Sequence, residues 1–195
     1  MSITTEQVKE LRDATGVSIM QCKKALEEAN GDIDMALMLL RKKSGDIASK
    51  KSDRKLGAGT IQSYIHNSGT VGVMVELSCE TDFVAKNDEF VALAHDIAMH
   101  AAAMNPEFLS SDEITDEVKG QVREMFAKEV EDSDKPEDIK EKMLQGKIDA
   151  YFKEKVLLDQ SFVKDPNVTI ADLVKQAVQK FGENTEVARF VRFSV

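Results

Sequence analysis

The sequence predicts an α+β protein: a three-helix module at the N-terminus, then a small antiparallel three-stranded sheet packed with helices. Three observations carry this reading. Apolar residues recur at helical spacing through three short segments within the first 44 residues. From Gly59 the period drops to two, over two runs joined by the turn signal Asn67-Ser68-Gly69-Thr70. Helical spacing then returns, and the chain closes on a further alternating run, Val187 to Phe193.

In the first helix Val8 and Leu11 give the apolar stripe and Gly16 the stop. Ser18 is placed to cap the second helix, with Gln21 three residues on as its capping-box partner. Cys22, Ala25, Leu26 and Ala29 line one face of that helix. Asn30-Gly31 ends it, Asp32 caps the third, and Ile33, Ala36, Leu37 and Leu40 form the third stripe. Leu26 and Leu37 are assigned to the core. Residues 41–56 crowd Arg41, Lys42, Lys43, Lys50, Lys51, Arg54 and Lys55 into a stretch with little sustained stripe, read as a solvated linker, in part helical. A basic surface facing acidic RNA or an acidic partner is the sharper alternative.

Ile61, Ser63 and Ile65 alternate with Gln62, Tyr64 and His66, and Val71 to Leu77 is β-branched and apolar, which makes a hairpin. A polar loop, Cys79 to Asn87, leads into a strong helix. Asn87 caps it, Asp88 and Glu89 suit its positive first turn, and Phe90, Leu93, Ala94, Ile97 and Ala101 make its buried face. After Pro106 the chain is helical from Thr115 (Val118, Val122, Met125, Phe126), from Pro136 (Ile139, Met143), and from Lys147 to Lys155. A last helix runs from Thr169 to Phe181, with Gly182 as its stop, before the closing strand. That strand is too short to stand alone and is expected to join the hairpin. The expected division is a module over 1–44, a basic connection over 45–58 and an α+β core over 59–195. The core includes a helical region, 115–156, and a helix-strand unit, 169–195.

The 195 residues carry a net charge of −9, distributed unevenly: residues 1–56 hold 11 basic and 9 acidic residues, a net +2, and the remainder a net −11. An acidic body does not neutralise phosphates, so direct nucleic-acid binding is not expected and a protein partner fits better. Cys22 and Cys79 lack the company of a disulfide framework or zinc site and read as reduced thiols. Met1 to Glu6 shows neither a basic start nor an apolar run, and no segment approaches a membrane span. A cytoplasmic location is expected.

No constellation builds covalent chemistry. Gly57-Ala58-Gly59 precedes a strand, the reverse of the order a phosphate cradle needs, and no GxxxxGK[ST] run occurs. His95 and His100 lie five apart, which does not align metal ligands on a helix, and His66 stands alone. No cofactor, metal or catalytic residue is expected. The polar loop does stand out: Phe83 beside Asp82 reads either as a core residue or as an exposed aromatic anchor flanked by an acid.

The words of that loop carry a resemblance. Thr81-Asp82-Phe83-Val84-Ala85-Lys86, after a strand ending Val-Glu-Leu-Ser-Cys-Glu, closely resembles the signature of the elongation factor Ts family. Val8 to Gly16, Cys22 to Asp32, Ile97 to Ala103 and Val191-Arg192-Phe193 are similar to that family too, in order along nearly the whole chain. The resemblance implies an N-terminal module like the ubiquitin-associated fold, docking on the GTPase domain of elongation factor Tu. It implies that the loop Thr81, Asp82, Phe83 and Val84 inserts into that domain and disturbs its Mg²⁺ and nucleotide site. GDP then leaves, and the chain promotes nucleotide exchange in translation elongation without being an enzyme. Among N-terminal residues it points to Arg12, Met20 and Lys23 as partner contacts. Long family members carry two related subdomains where this chain carries one hairpin-plus-helix core, so a homodimer through the sheet or core helices is a further expectation. Two other readings remain. A ubiquitin-associated-type adaptor requires residues 1–45 to bind alone and the 81–84 loop to be dispensable. A small enzyme using Cys79 and a histidine requires Cys79→Ala to abolish activity.

Overall fold

The fold is taken from a computed structural model, which describes residues 3–67, 69–131 and 135–195. Ser68 in the predicted hairpin turn, Met1 and Ser2 in the N-terminal reading, and 132–134 in the helical region lie outside the described residues.

Three helices open the chain: α1 (Thr5–Thr15), α2 (Ile19–Glu28) and α3 (Ile33–Lys51). Their ends follow local chemistry. Thr4 and Gln7 form a reciprocal capping box on α1, and Gly16 ends it in the left-handed region, at φ 65°. Ser18 Oγ accepts the Gln21 N–H at 3.4 Å, but the Gln21 side chain does not turn back to complete a box. It accepts instead from Gln179, far along the chain, at 3.3 Å. Asp32 caps α3 by accepting the Met35 N–H at 2.8 Å. Leu11, Val17, Cys22, Ala25, Leu26, Ala29, Ala36 and Leu40 fill the small core between the three helices, and Leu37 is half-buried against it.

α3 does not stop where its apolar stripe weakens. It continues through Lys51, across much of the stretch read as a linker, because that stretch has partners beyond its own helix. Ser44 is buried, Lys43 pairs with Glu28 at 2.8 Å, and Arg41 reaches Asp165 at 4.0 Å. The Lys51 ammonium donates to the Gly182 carbonyl.

The core is an antiparallel sheet of β1 (Ala58–Ile65), β2 (Val71–Cys79) and β5 (Thr185–Ser194), in the order β1-β2-β5. The closing run thus joins the hairpin as expected. Ala188 is the extra residue of a bulge, since Arg189 pairs with Glu76 and Val187 with Leu77. One face of the sheet is covered: Val73, Val75, Leu77, Cys79 and Val187 pack on Phe90, Ala94, Ile97 and Ala101 of α5 (Asp88–Met104). The helix α8 (Ile170–Phe181) closes the same core, its Phe181 ring edge-on to Phe90. Thr169 and Asp172 form its capping box, and Gly182 ends it at φ 74°. A two-stranded ribbon that the sequence pattern does not reveal, β3 (Ser161–Phe162) with β4 (Asp165–Thr169), leads into α8.

Between α5 and the ribbon, α6 (Asp116–Glu131) and α7 (Glu137–Lys155) run back along each other, with Phe126 against Tyr151 and Lys147 on Glu129. The segment expected from Lys147 is the second half of α7. Their shared core is Val122, Val130, Leu144 and Ile148, while Met125 and Ile139 are exposed. Two helices alone bury only a narrow seam, so residues at the margin of each expected stripe remain outside it.

Candidate partner-binding site

The sheet and α5 meet at a single helical turn, α4 (Asp82–Ala85). Successive residues in a helix are about 100° apart, so a single turn on a surface must point some side chains in and others out. Val84 and Ala85 point into the main core. Phe83 points out and is 82% exposed. The core seat on this turn is filled by Val84, and the next residues are already committed to α5, where Asn87 Oδ1 accepts the Glu89 N–H at 2.9 Å.

Asp82 stands beside Phe83, with Lys86 Nζ donating to its Oδ2 at 2.6 Å across one turn. That hydrogen bond, and then the charge of the same ammonium, hold the Asp82 carboxyl below its ordinary range. Thr81 takes the cap position of α4, but its side chain does not cap the turn. It donates to Glu183 Oε1 at 2.6 Å, and its N–H donates to Glu183 Oε2 at 3.0 Å. The sequence offers little to find this pair: Glu183 lies 102 positions downstream, after the helix stop at Gly182. Of the four loop residues singled out from sequence, the structure brings Thr81, Asp82 and Phe83 to the surface and buries Val84 as the anchor beneath them.

In the N-terminal module Arg12, Met20 and Lys23 all face solvent. Arg12 is in the last turn of α1, Met20 opens α2 at 83% exposure, and Lys23 sits 3.9 Å from Glu27. Exposed Ile19 beside Met20, and Met35 and Met38 on α3, enlarge the apolar surface of the module. Sequence reasoning missed these three; Met35 and Met38 lie off the stripe of Ile33, Ala36, Leu37 and Leu40, the signal that would have marked them as outward-facing.

Module and core touch along α8. Val17, Leu40 and Arg41 on one side face Phe162, Leu173 and Gln179 on the other across a shallow cleft. Lys180, which pairs with Glu89 at the start of α5 at 2.9 Å, lies so close to Gly16 that a Cβ there would meet it at 2.6 Å.

The nucleophile reading finds no geometry. Cys79 is buried, donates to the Thr81 carbonyl at 3.2 Å, and is pushed above its ordinary pKa by burial and then by the Glu183 charge. Each histidine is engaged elsewhere: His100 with Gln160, His66 with the Tyr64 hydroxyl, and His95 edge-on to the Tyr64 ring. Among the described residues no group of three or more His, Cys, Asp or Glu is disposed to hold a metal ion, and no helix is long and apolar enough to cross a membrane.

Two family models match the chain: a UBA-like domain over residues 4–44 and Elongation factor TS over residues 46–195. The chain is 47% identical over 193 residues to elongation factor Ts of Thermosipho melanesiensis, covering 99% of this chain and 98% of that protein. It is 45% identical over 195 residues to elongation factor Ts of Fervidobacterium nodosum, covering 100% and 99%. With elongation factor Ts of Herpetosiphon aurantiacus the identity is 48% over 195 residues, covering 100% and 98%. The class is therefore that of α+β proteins in which a UBA-like helical module precedes a sheet-and-helix core. Within it, the chain belongs to the elongation factor Ts family of translation elongation factors.

Proposed function

We propose that this chain is a guanine-nucleotide exchange factor for elongation factor Tu, acting by binding and not by catalysis of a bond change. The observation that carries the reading is Phe83. A large aromatic ring left out in water beside an ionised, lysine-pinned carboxylate is the form of an interface anchor. Buried Val84 and Ala85 give that ring a firm base.

In this reading residues 1–44 dock on the GTPase domain through Arg12, Met20 and Lys23. The basic stretch 45–58 connects them to the core, 59–195, whose loop enters the same domain. Insertion of Phe83 and Asp82 displaces the bound Mg²⁺, whose charge compensates the nucleotide phosphates, and GDP dissociates. Coupling of this kind is reciprocal: a factor that weakens GDP is itself weakened by GDP to the same extent. The chain needs no cofactor, and its work in translation assigns it to the cytoplasm. Titration calorimetry on nucleotide-free and GDP-loaded elongation factor Tu tests the linkage. Binding at least about tenfold tighter to the nucleotide-free form is expected. Equal affinity for both forms would sink the proposal, because a ligand indifferent to the two states shifts neither. The adaptor reading differs in one respect: residues 1–45 alone would bind as tightly as the whole chain.

A second reading concerns assembly. The outer face of the sheet exposes Ile61, Ile65, Met74, Val191 and Phe193 around the Glu76–Arg189 ion pair. Opposing register joins Met74 to Val191 and Gly72 to Phe193, which makes one continuous apolar patch. A homodimer that stacks two such faces covers it.

A further inference from the structure

We propose that Glu183 is a positioning residue for the Asp82-Phe83 loop and that the turn 182–185 fixes this loop relative to the N-terminal module. The inference rests on the exchange reading for its function but not for its geometry.

The β2–β5 ladder ends at the pair Cys79 and Thr185. Beyond it the two chains remain joined by a reciprocal exchange of side chain for backbone. The Glu183 carboxylate accepts both donors of Thr81, at 2.6 and 3.0 Å. In return Glu80 Oε1 accepts the Asn184 N–H at 2.6 Å. Charge-assisted bonds of this length are the stronger kind. Thr81 gives up the usual use of a threonine at a helix start, capping its own turn, to make this contact. The direction in which α4 leaves the sheet is thus set by Glu183.

The same turn holds the end of α3. The buried Asn184 directs its amide nitrogen to the Ser52 and Arg54 carbonyls, each at 3.4 Å, and Lys51 donates to the Gly182 carbonyl. Arg54 in turn reaches Glu80 at 3.2 Å. α3 is also a wall of the N-terminal module. These contacts therefore tie the loop that carries Phe83 to the helix that carries the other candidate contact surface. Holding both in one orientation before a partner arrives spares the ordering cost at binding, which is where a positioning group acts. The helix stop at Gly182 and the start of the β2–β5 ladder at Thr185 use backbone hydrogen bonds that do not involve the Glu183 carboxylate.

The test uses the full chain with Glu183→Ala and, as the conservative change, Glu183→Gln, which keeps one acceptor oxygen. In the free protein, amide hydrogen exchange at Thr81 is expected to quicken at least about tenfold in Glu183→Ala and less in Glu183→Gln. Unchanged exchange overturns the clamp. With elongation factor Tu carrying fluorescent GDP, Glu183→Ala is expected to lower the saturating release rate roughly tenfold. The half-saturating concentration should move less than about twofold. In a Phe83→Ala background the same change should cost nothing further. A loss of the same size in that background, or a lowered melting temperature with an unaltered release rate, shows a merely structural role and overturns the proposal. If the wild-type chain fails to release GDP, the exchange reading falls alone, and the amide exchange still decides the clamp.

Discussion

His100 and Gln160, sixty residues apart, meet in the interior with Nε2 and Oε1 separated by 3.0 Å. The Val163 N–H donates to Nδ1 at 3.2 Å, so Nδ1 is an acceptor and the proton of the neutral ring lies on Nε2. Gln160 is itself held by donating to the Glu154 carbonyl at 2.6 Å. The histidine thus joins α5 to the segment between α7 and α8.

Burial lowers the His100 pKa from 6.5, against a smaller upward effect of Gln160. The unfolded chain therefore takes up a proton near pH 6.5 that the native chain refuses. Stability from the neutral ring is complete above that value and is lost as the pH falls toward the depressed native value. Its slope is at most about 1.4 kcal/mol per pH unit. Thermal melts between pH 7.5 and 5 should show this loss. A His100→Asn variant should be less stable throughout but flatter across that window, and an equally steep profile would exclude His100 as the source.

Lys86→Ala should raise the Asp82 pKa toward its ordinary value, because the ammonium is the main cause of the depression. Both side chains are largely exposed, so thermal stability should be essentially unchanged. Carbon-detected NMR titration of the Asp82 carboxyl reads the shift. A midpoint unmoved by the substitution would mean that Lys86 does not hold the carboxylate in solution.

Much of this was legible in the residues. Gly16, Asp32, Asn87 and Gly182 announced the helix ends, and each performs its role for the reason its chemistry suggests. The alternation of Ile61 to Ile65 and of the closing run marked two strands of the sheet, and the β-branched run after Val71 marked the third. Other features depend on contacts between distant segments, which local pattern does not carry. α3 extends through a polar, basic run because Arg41, Lys43 and Lys51 find partners elsewhere. The Ser161–Phe162 ribbon is too short for a period to show. In the loop, the words Thr81 to Val84 drew attention, but only the fold separates outward Phe83 from inward Val84 and brings Glu183 beneath Thr81.

Phe193→Glu tests the outer sheet face. The side chain is 66% exposed, so the monomer fold should survive within about 0.5 kcal/mol. If two faces stack, sedimentation at micromolar concentration should show a dimer for the wild type and a monomer for the variant. A wild-type monomer at those concentrations contradicts the dimer.

The central claim is that this chain loosens GDP on elongation factor Tu through the ring of Phe83. Its most direct measurement is the dissociation rate of fluorescent GDP from purified elongation factor Tu in the presence of the wild-type chain and of Phe83→Ala. A large acceleration by the wild type is expected, cut at least roughly tenfold in the variant, as the loss of an interface anchor implies. An unaccelerated rate with the wild-type chain would contradict the exchange function, and an acceleration equal in both would contradict the role of Phe83.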